Sequence, residues 1–329
     1  MTALLAQTYY LDTCLSPLAA YLALPELTDI YINRPGEIWI ETLGAAPRRV
    51  EAPGLTKSAL QRLARQIAAA SAQGINRENP LLAASLPTGE RVQIVLPPAT
   101  RGDIAIAIRK HSVSELSLDD YEDRGAFANS IVRPIGISEQ PELRVQEIGS
   151  ALDLIRSAVR DRRNILISGG TSSGKTTFLN ALLREIPAHE RLILIEDTPE
   201  LRLTHDNAIG LVTPRGSLGE AQVSAEDLLI ASLRMRPDRI ILGEIRGGEA
   251  MTFLRAVNTG HPGSIATIHA DSPARAIDQL ALLVLLTGIR MSWGDVTTYV
   301  TRSLDLIVQL HRGTGGRIVH EIGVIRAQR

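Results

Sequence analysis

Cysteine is almost missing from this chain. Cys14 is the one thiol in 329 residues, so no internal disulfide forms and no multi-cysteine zinc site exists. That usage fits a reducing compartment. Aromatic residues make up 3%, which leaves few flat faces on which bases could stack. An excess of one charge is missing too, because 35 basic residues stand against 36 acidic ones, a net charge of -1. A polybasic membrane binder or a bulk nucleic-acid binder carries a far more basic balance. The most apolar run, Leu280–Leu286, is far short of the about 20 residues that a bilayer span needs. Met1 to Leu15 holds no Lys or Arg and carries Asp12, unlike the charged start and apolar core of a secretion signal. These absences predict a cytoplasmic protein, held at a membrane only through a partner. What remains, 44% hydrophobic and 22% charged, is the balance of a folded globular chain long enough for two domains.

The hydrophobic pattern changes along the chain. Over residues 28–41, apolar residues alternate on both sides of Arg34-Pro35-Gly36, which predicts a hairpin. Thr56 is placed to cap a helix over 57–72 with Leu60, Leu63, Ala64 and Ile67 on one stripe. Arg91–Leu96 and Asp103–Arg109 read as two more strands, so the first part is mixed α+β. Residues 112–149 lose the pattern and read as a linker with some helix. Beyond it, short apolar runs at Ile165–Ser168, Leu192–Glu196, Arg239–Gly243 and Ser264–Ile268 lack polar alternation. Such runs suit strands of a parallel sheet buried on both faces. Ser224 and Ser272-Pro273 open helices between and after them, and Gly288 closes the second. Asp305–Leu310 and Arg317–Ile325 flank Gly313-Thr314-Gly315-Gly316, a closing hairpin.

One stretch carries chemistry. Gly169-Gly170-Thr171-Ser172-Ser173-Gly174-Lys175-Thr176 fits G-x-x-x-x-G-K-S/T, with Thr177 following. Glycines let backbone N–H groups curl around phosphate oxygens, and the next helix adds positive potential at its amino end. Lys175 is expected to reach the β- and γ-phosphates and the Thr176 hydroxyl to ligate Mg²⁺. A strand runs into the loop, and a helix with Phe178, Leu179, Leu182, Leu183 and Ile186 on one face leaves it, as this reading requires.

Two later strands end in acids. Leu192–Glu196 runs into Asp197, and Arg239–Gly243 runs into Glu244. Ligands of such sheets bind at the carboxyl ends of the strands. Glu196 and Asp197 are therefore expected to organise metal or water, Asp197 holding the metal through water, and Glu244 to polarise the attacking water. His261 and His269 bracket a third buried run. His269 is placed to report the γ-phosphate as a hydrogen-bond donor, whereas a satisfied core histidine explains His261. Arg160-Asp161-Arg162-Arg163 is a basic cluster that a solvated helix end explains.

Together these segments resemble the ATPases of type II and type IV secretion. The match comprises Gly169–Thr177, Ile195-Glu196-Asp197-Thr198-Pro199-Glu200, the run Arg236–Arg246 and the histidine box Thr259–Ala270. Ile32-Asn33-Arg34-Pro35-Gly36-Glu37 and Leu86-Pro87-Thr88-Gly89-Glu90-Arg91 resemble the type IV secretion and conjugation branch. The resemblance covers about 28–311 of the chain. It implies an α/β fold with a RecA-like P-loop ATPase domain at 150–329, a smaller N-terminal α+β domain at 1–111 and a linker at 112–149. It further implies ATP and Mg²⁺ as cofactors, a homohexamer, and peripheral attachment to inner-membrane components of a secretion machine. Arg91 and Arg109 become candidates to approach the phosphates. Pilus or type II secretion motors are the neighbouring branch. A RecA- or helicase-type nucleic-acid motor is the rival class, opposed by the near-zero charge and thin aromatic content, so no sequence-specific nucleic-acid binding is expected. A scaffold whose nucleotide only stabilises a ring is a third reading, opposed by the intact Lys175 and Glu244.

Overall fold

Isoleucine at every second position shapes the first part of the chain. In the computed structural model, residues 2–42, 45–110, 116–135, 150–213, 223–313 and 316–325 are described. They form two compact units, one mainly within Met1–Val113 and one within Ser114–Thr213 and Ser224–Arg329. In the first, β1 (Leu27–Ile32) and β2 (Gly36–Thr42) form the predicted antiparallel hairpin, and Gly36 supplies the positive φ of +84° at its turn. The strands β3 (Arg48–Ala52), β4 (Leu81–Ser85), β5 (Arg91–Val95) and β6 (Ala105–Arg109) complete an antiparallel sheet in the order β3-β2-β1-β6-β5-β4. Ile30, Ile32, Ile38, Ile40, Ile94, Ile106 and Ile108 all turn to one face. Two helices share that core. The first, α1 (Thr2–Leu22), contributes Leu11, Leu15 and Leu18. The second, α2 (Lys57–Ala70), is capped by the Thr56 hydroxyl and buries the predicted stripe.

The second unit is a sheet covered on both sides. It holds β7 (Ile131–Pro134), β8 (Ile165–Gly169), β9 (Leu192–Glu196), β10 (Ala208–Val212), β11 (Arg239–Leu242), β12 (Ile265–Ile268), β13 (Leu306–Gly313) and β14 (Gly316–Val324). Their order is β10-β9-β11-β12-β8-β13-β14-β7, and the six from β10 to β13 run parallel. Side chains alternate between the faces, as period-two geometry demands. Ile165, Ile167, Leu192, Leu194 and Ile241 meet one core with α4 (Ala151–Arg160) and α5 (Lys175–Leu183). Leu166, Ile193, Ile195, Ile240 and Leu242 meet the other. That second core is closed by α6 (Ala225–Leu233), α7 (Glu249–Asn258), α8 (Pro273–Leu286) and α9 (Trp293–Ser303). A strand apolar at every position therefore serves two cores at once, which is why the runs showed no polar alternation.

Within the stretch read as a linker, residues 116–135 fold into the second unit instead. Leu118 and Tyr121, on α3 (Leu118–Asp123), are buried with Phe127 against Phe178, and β7 pairs with β14. A six-residue helix is too short to show a period. Its signal is the Ser117–Asp120 capping box, in which each side chain meets the other residue's backbone amide. The rest of that stretch, 112–115 and 136–149, lies outside the described residues.

One buried ion pair organises the amino ends of the central strands. Arg239, with no exposed surface, donates from Nε and Nη2 to the two oxygens of Glu190 at 2.7 and 2.8 Å. Its Nη1 donates to the carbonyl of Val159 at 2.6 Å, and Arg162 adds a bond to Glu190 at 2.9 Å. Burial by itself raises the Glu190 pKa, but hydrogen bonds and charges from Arg239 and Arg162 outweigh it and hold the carboxyl at about 2, against an ordinary 4.5. A carboxyl depressed on folding adds stability that is present above about pH 4.5 and is lost as pH falls through about 2. We therefore expect Glu190→Gln to cost on the order of 3 kcal/mol at pH 7 by urea unfolding and to flatten that acid limb. Unchanged stability in the variant would show that the pair is not holding the strands.

Candidate active site

The phosphate loop begins where β8 ends. Gly169 closes that strand, and a Cβ there would stand 2.9 Å from the carbonyl oxygen of Leu310. Gly174 has φ +93° and opens α5 without any side-chain cap for the first amides. Those free N–H groups and the helix dipole make the loop mouth attractive to anions. Lys175 is buried and donates from Nζ to the carbonyls of Gly169 at 2.8 Å and Gly170 at 3.3 Å. Burial lowers its pKa, and the Glu244 carboxylate works against that fall. Thr176, partly buried, is the second residue of the helix, while Thr171 and Ser172 are exposed.

The acids and the histidine meet this lysine. Lys175 Nζ lies 3.3 Å from His269 Nδ1, and His269 Nε2 lies 3.0 Å from Glu244 Oε1. An ammonium only donates, so Nδ1 accepts and the ring proton sits on Nε2, facing the carboxylate. Glu244 Oε2 takes a hydrogen bond from Arg246 Nη2, and Arg246 Nη1 donates to Asp197 Oδ2 at 2.6 Å. Charges thus alternate from Lys175 through His269 to Glu244, Arg246 and Asp197. The loop after β11 is tied to β12 by Ile245 N donating to the Thr267 carbonyl and the Thr267 hydroxyl donating to that of Gly243. These bonds set Glu244 beside His269. Glu196 is buried at the end of β9, and its Oε2 accepts from the amides of Glu200 at 2.7 Å and Leu201 at 2.9 Å. That carboxylate shapes the turn that carries Asp197.

The fold therefore gathers Gly169–Thr177, Glu196, Asp197, Glu244 and His269 at one end of the parallel sheet. His261 stands at the opposite end of β12, where its Nδ1 meets the Pro237 carbonyl at 3.0 Å, a satisfied histidine. Arg91 and Arg109 belong to the first unit and lie directly opposite each other across β5 and β6. Arg109 Nε is 3.9 Å from Asp29 Oδ1. The basic cluster at 160–163 is ion-paired rather than merely solvated: Arg160 meets Glu185, Arg162 meets Glu190, and Arg163 meets Asp305. Two site residues escaped sequence reasoning. Arg246 follows Glu244 by two positions, a signal within reach. Arg317 donates from Nη1 to Thr177 Oγ1 at 2.7 Å from 140 residues away, where local pattern carries no information.

Known proteins resemble this chain along most of its length. Residues 14–315 match the family described as Type II/IV secretion system protein. The type IV secretion system protein VirB11 of Bartonella quintana is 38% identical over 328 residues, covering 94% of this chain and 91% of the relative. The crystal structure of the VirB11 ATPase from the Brucella suis type IV secretion system, in complex with sulphate, is 37% identical. It covers 98% of this chain and 97% of its own, with a TM-score of 0.51. The pilus retraction motor PilT with bound ADP shares the fold at 21% identity, covering 96% of this chain and 83% of its own, with a TM-score of 0.60.

Burial and the Lys175 charge lower the His269 pKa below the ordinary 6.5, with Glu244 pushing back. The imidazole is thus neutral at pH 7. Titration of the ring by NMR should give a midpoint under 6.5, moved further down in Glu244→Gln and upward in Lys175→Met. A midpoint above 6.5 would show that Glu244, rather than burial and Lys175, dominates the ring.

Proposed function

The chain is an ATPase that belongs to the Type II/IV secretion system protein family, and from that premise we propose that it hydrolyses MgATP as a homohexamer. Its work is to energise assembly of, and transport through, a type IV secretion machine. The observation that carries the reading is the continuous path from the loop lysine to two strand-end acids, Lys175–His269–Glu244–Arg246–Asp197.

Gly169 to Thr177 cradle the phosphates with backbone amides, and Lys175 offsets the charge that develops on them. To do so its ammonium exchanges the Gly169 and Gly170 carbonyls for phosphate oxygen. Among the described residues no three His, Cys, Asp or Glu side chains gather to hold a metal by themselves. Magnesium keeps several waters and takes phosphate oxygens, so one hydroxyl and one nearby carboxylate fit it. Thr176 would hold it directly and Asp197 through water, and the ion would supply neutralisation of phosphate charge there. Glu244 orients and polarises the attacking water, because its carboxylate faces His269 beside Lys175 while Glu196 is occupied by backbone amides. His269, donating from Nε2, couples the γ-phosphate position to Glu244.

No helix among the described residues is long and apolar enough to cross a membrane. We assign the chain to the cytoplasmic side of the inner membrane, attached through protein components of the machine. ATPase rate measured against protein concentration, with mass from light scattering, tests the whole reading. The rate per subunit should rise as hexamers form. Lys175→Ala should lose turnover by roughly 100-fold or more, and Glu244→Gln should bind ATP yet fail to cleave it. Normal turnover in Lys175→Ala, or a rate that appears only with single-stranded DNA and falls with salt, would replace this reading by another P-loop class.

A further inference from the structure

Arg317 is placed by β14 on the side of the loop that the chemistry above does not use. Its Nη1 donates to Thr177 Oγ1 at 2.7 Å. Its Nε stands 2.7 Å from where a Cβ on Gly174 would be, so the last loop glycine is needed for this approach as well as for its φ. The buried Tyr121 lies beside it; burial pushes that phenol up to about 12, and the Arg317 charge pulls the other way. Among the described residues Arg317 has no carboxylate partner, and the residue opposite it in the ladder, Arg312, is another cation. Two cations facing each other beside an anion-binding loop are costly unless a ligand supplies negative charge.

Strand order gives the ligand its direction. In β11-β12-β8-β13-β14 the loop strand β8 is central. Glu244 and His269 lie past β11 and β12 on one flank, and Lys175 is turned toward them. Arg317 lies on the other flank. A polyphosphate laid across the amino end of α5 has its reacting end toward Glu244 and its nucleoside end toward β13 and β14. We infer that Arg317 is a second cation of the nucleotide site, holding Thr177 and the loop at Gly174 and presenting its charge to the nucleoside-proximal phosphate. It acts on nucleotide affinity and leaves cleavage of the terminal phosphate to the opposite flank. This inference rests on the ATPase reading of the loop.

The test uses the full chain with Arg317→Met, Arg317→Lys and Lys175→Ala. ADP and ATP affinities come from titration with a fluorescent nucleotide, and KM and kcat from steady-state turnover. Arg317→Met should weaken ADP and ATP alike by roughly tenfold or more and raise KM by a similar factor, with kcat within about twofold. Arg317→Lys keeps the charge and should recover part of the affinity. Unchanged ADP affinity in Arg317→Met overturns the inference. So does a collapse of kcat at constant affinity, or a lysine variant as damaged as the methionine one, since that result means packing alone. ADP binding is read without turnover, so the two readings fail separately. A chain that binds ADP through Arg317 but never cleaves ATP loses the hydrolysis reading only. Lost turnover in Lys175→Ala with wild-type ADP affinity in Arg317→Met loses the Arg317 inference only.

Discussion

A fully buried guanidinium sets the frame for everything else in the second unit. Arg239 begins β11, Glu190 precedes β9, Gly263 precedes β12, and Val159 and Arg162 precede β8. Four separate approaches to the sheet are joined at one point by charge-assisted hydrogen bonds. An ion removed from water is tolerable only when its donors are matched, and Arg239 meets two carboxylate oxygens and two carbonyls. With the amino ends of four parallel strands held together, their carboxyl ends emerge side by side. The phosphate loop, both acidic ends and His269 sit there.

The site inherits its electrostatics from that alignment. Lys175 reaches Glu244 through His269, and Glu244, Arg246 and Asp197 alternate in sign in direct contact. Each cation offsets the desolvation of the acid next to it. His269 sits between the lysine and the carboxylate as a neutral relay, since burial and Lys175 both oppose its protonation. The two acids of the β9 end divide the labour: Glu196 is locked onto backbone amides and Asp197 faces Arg246. The sheet order then separates two flanks of the loop, one with the acids that act on the reacting end and one with Arg317.

Much of this was legible from residues close together in the chain. The loop Gly169–Thr176 depends on backbone conformations and a strand–helix junction, all local. The hairpin at 28–41, the Thr56 and Ser272 caps and the fully buried strands follow from period and capping chemistry within a few residues. Glu244, Glu196 and Asp197 were found because they end apolar runs. Short pieces resisted: α3 and β7 hold too few residues to show a period, and they are stabilised by docking against Phe178 and β14.

Sequence alone therefore determined the hairpin at 28–41, the helix capped by Thr56, the four strands buried on both faces, that a phosphate-binding loop exists, and which acids stand at strand ends. Those properties arise from neighbours along the chain. Tertiary structure alone decided that Glu196 holds a turn while Glu244 faces His269, and that the arginines at 160–163 pair with acids. It also decided that Arg317 reaches Thr177. Apart from the Glu196 turn, whose amides lie 4 and 5 positions away, each of these is a contact between residues 25 to 142 positions apart, set by strand order and register. Local periodicity carries no trace of such distances, and only packing the sheet brings the partners within hydrogen-bond reach.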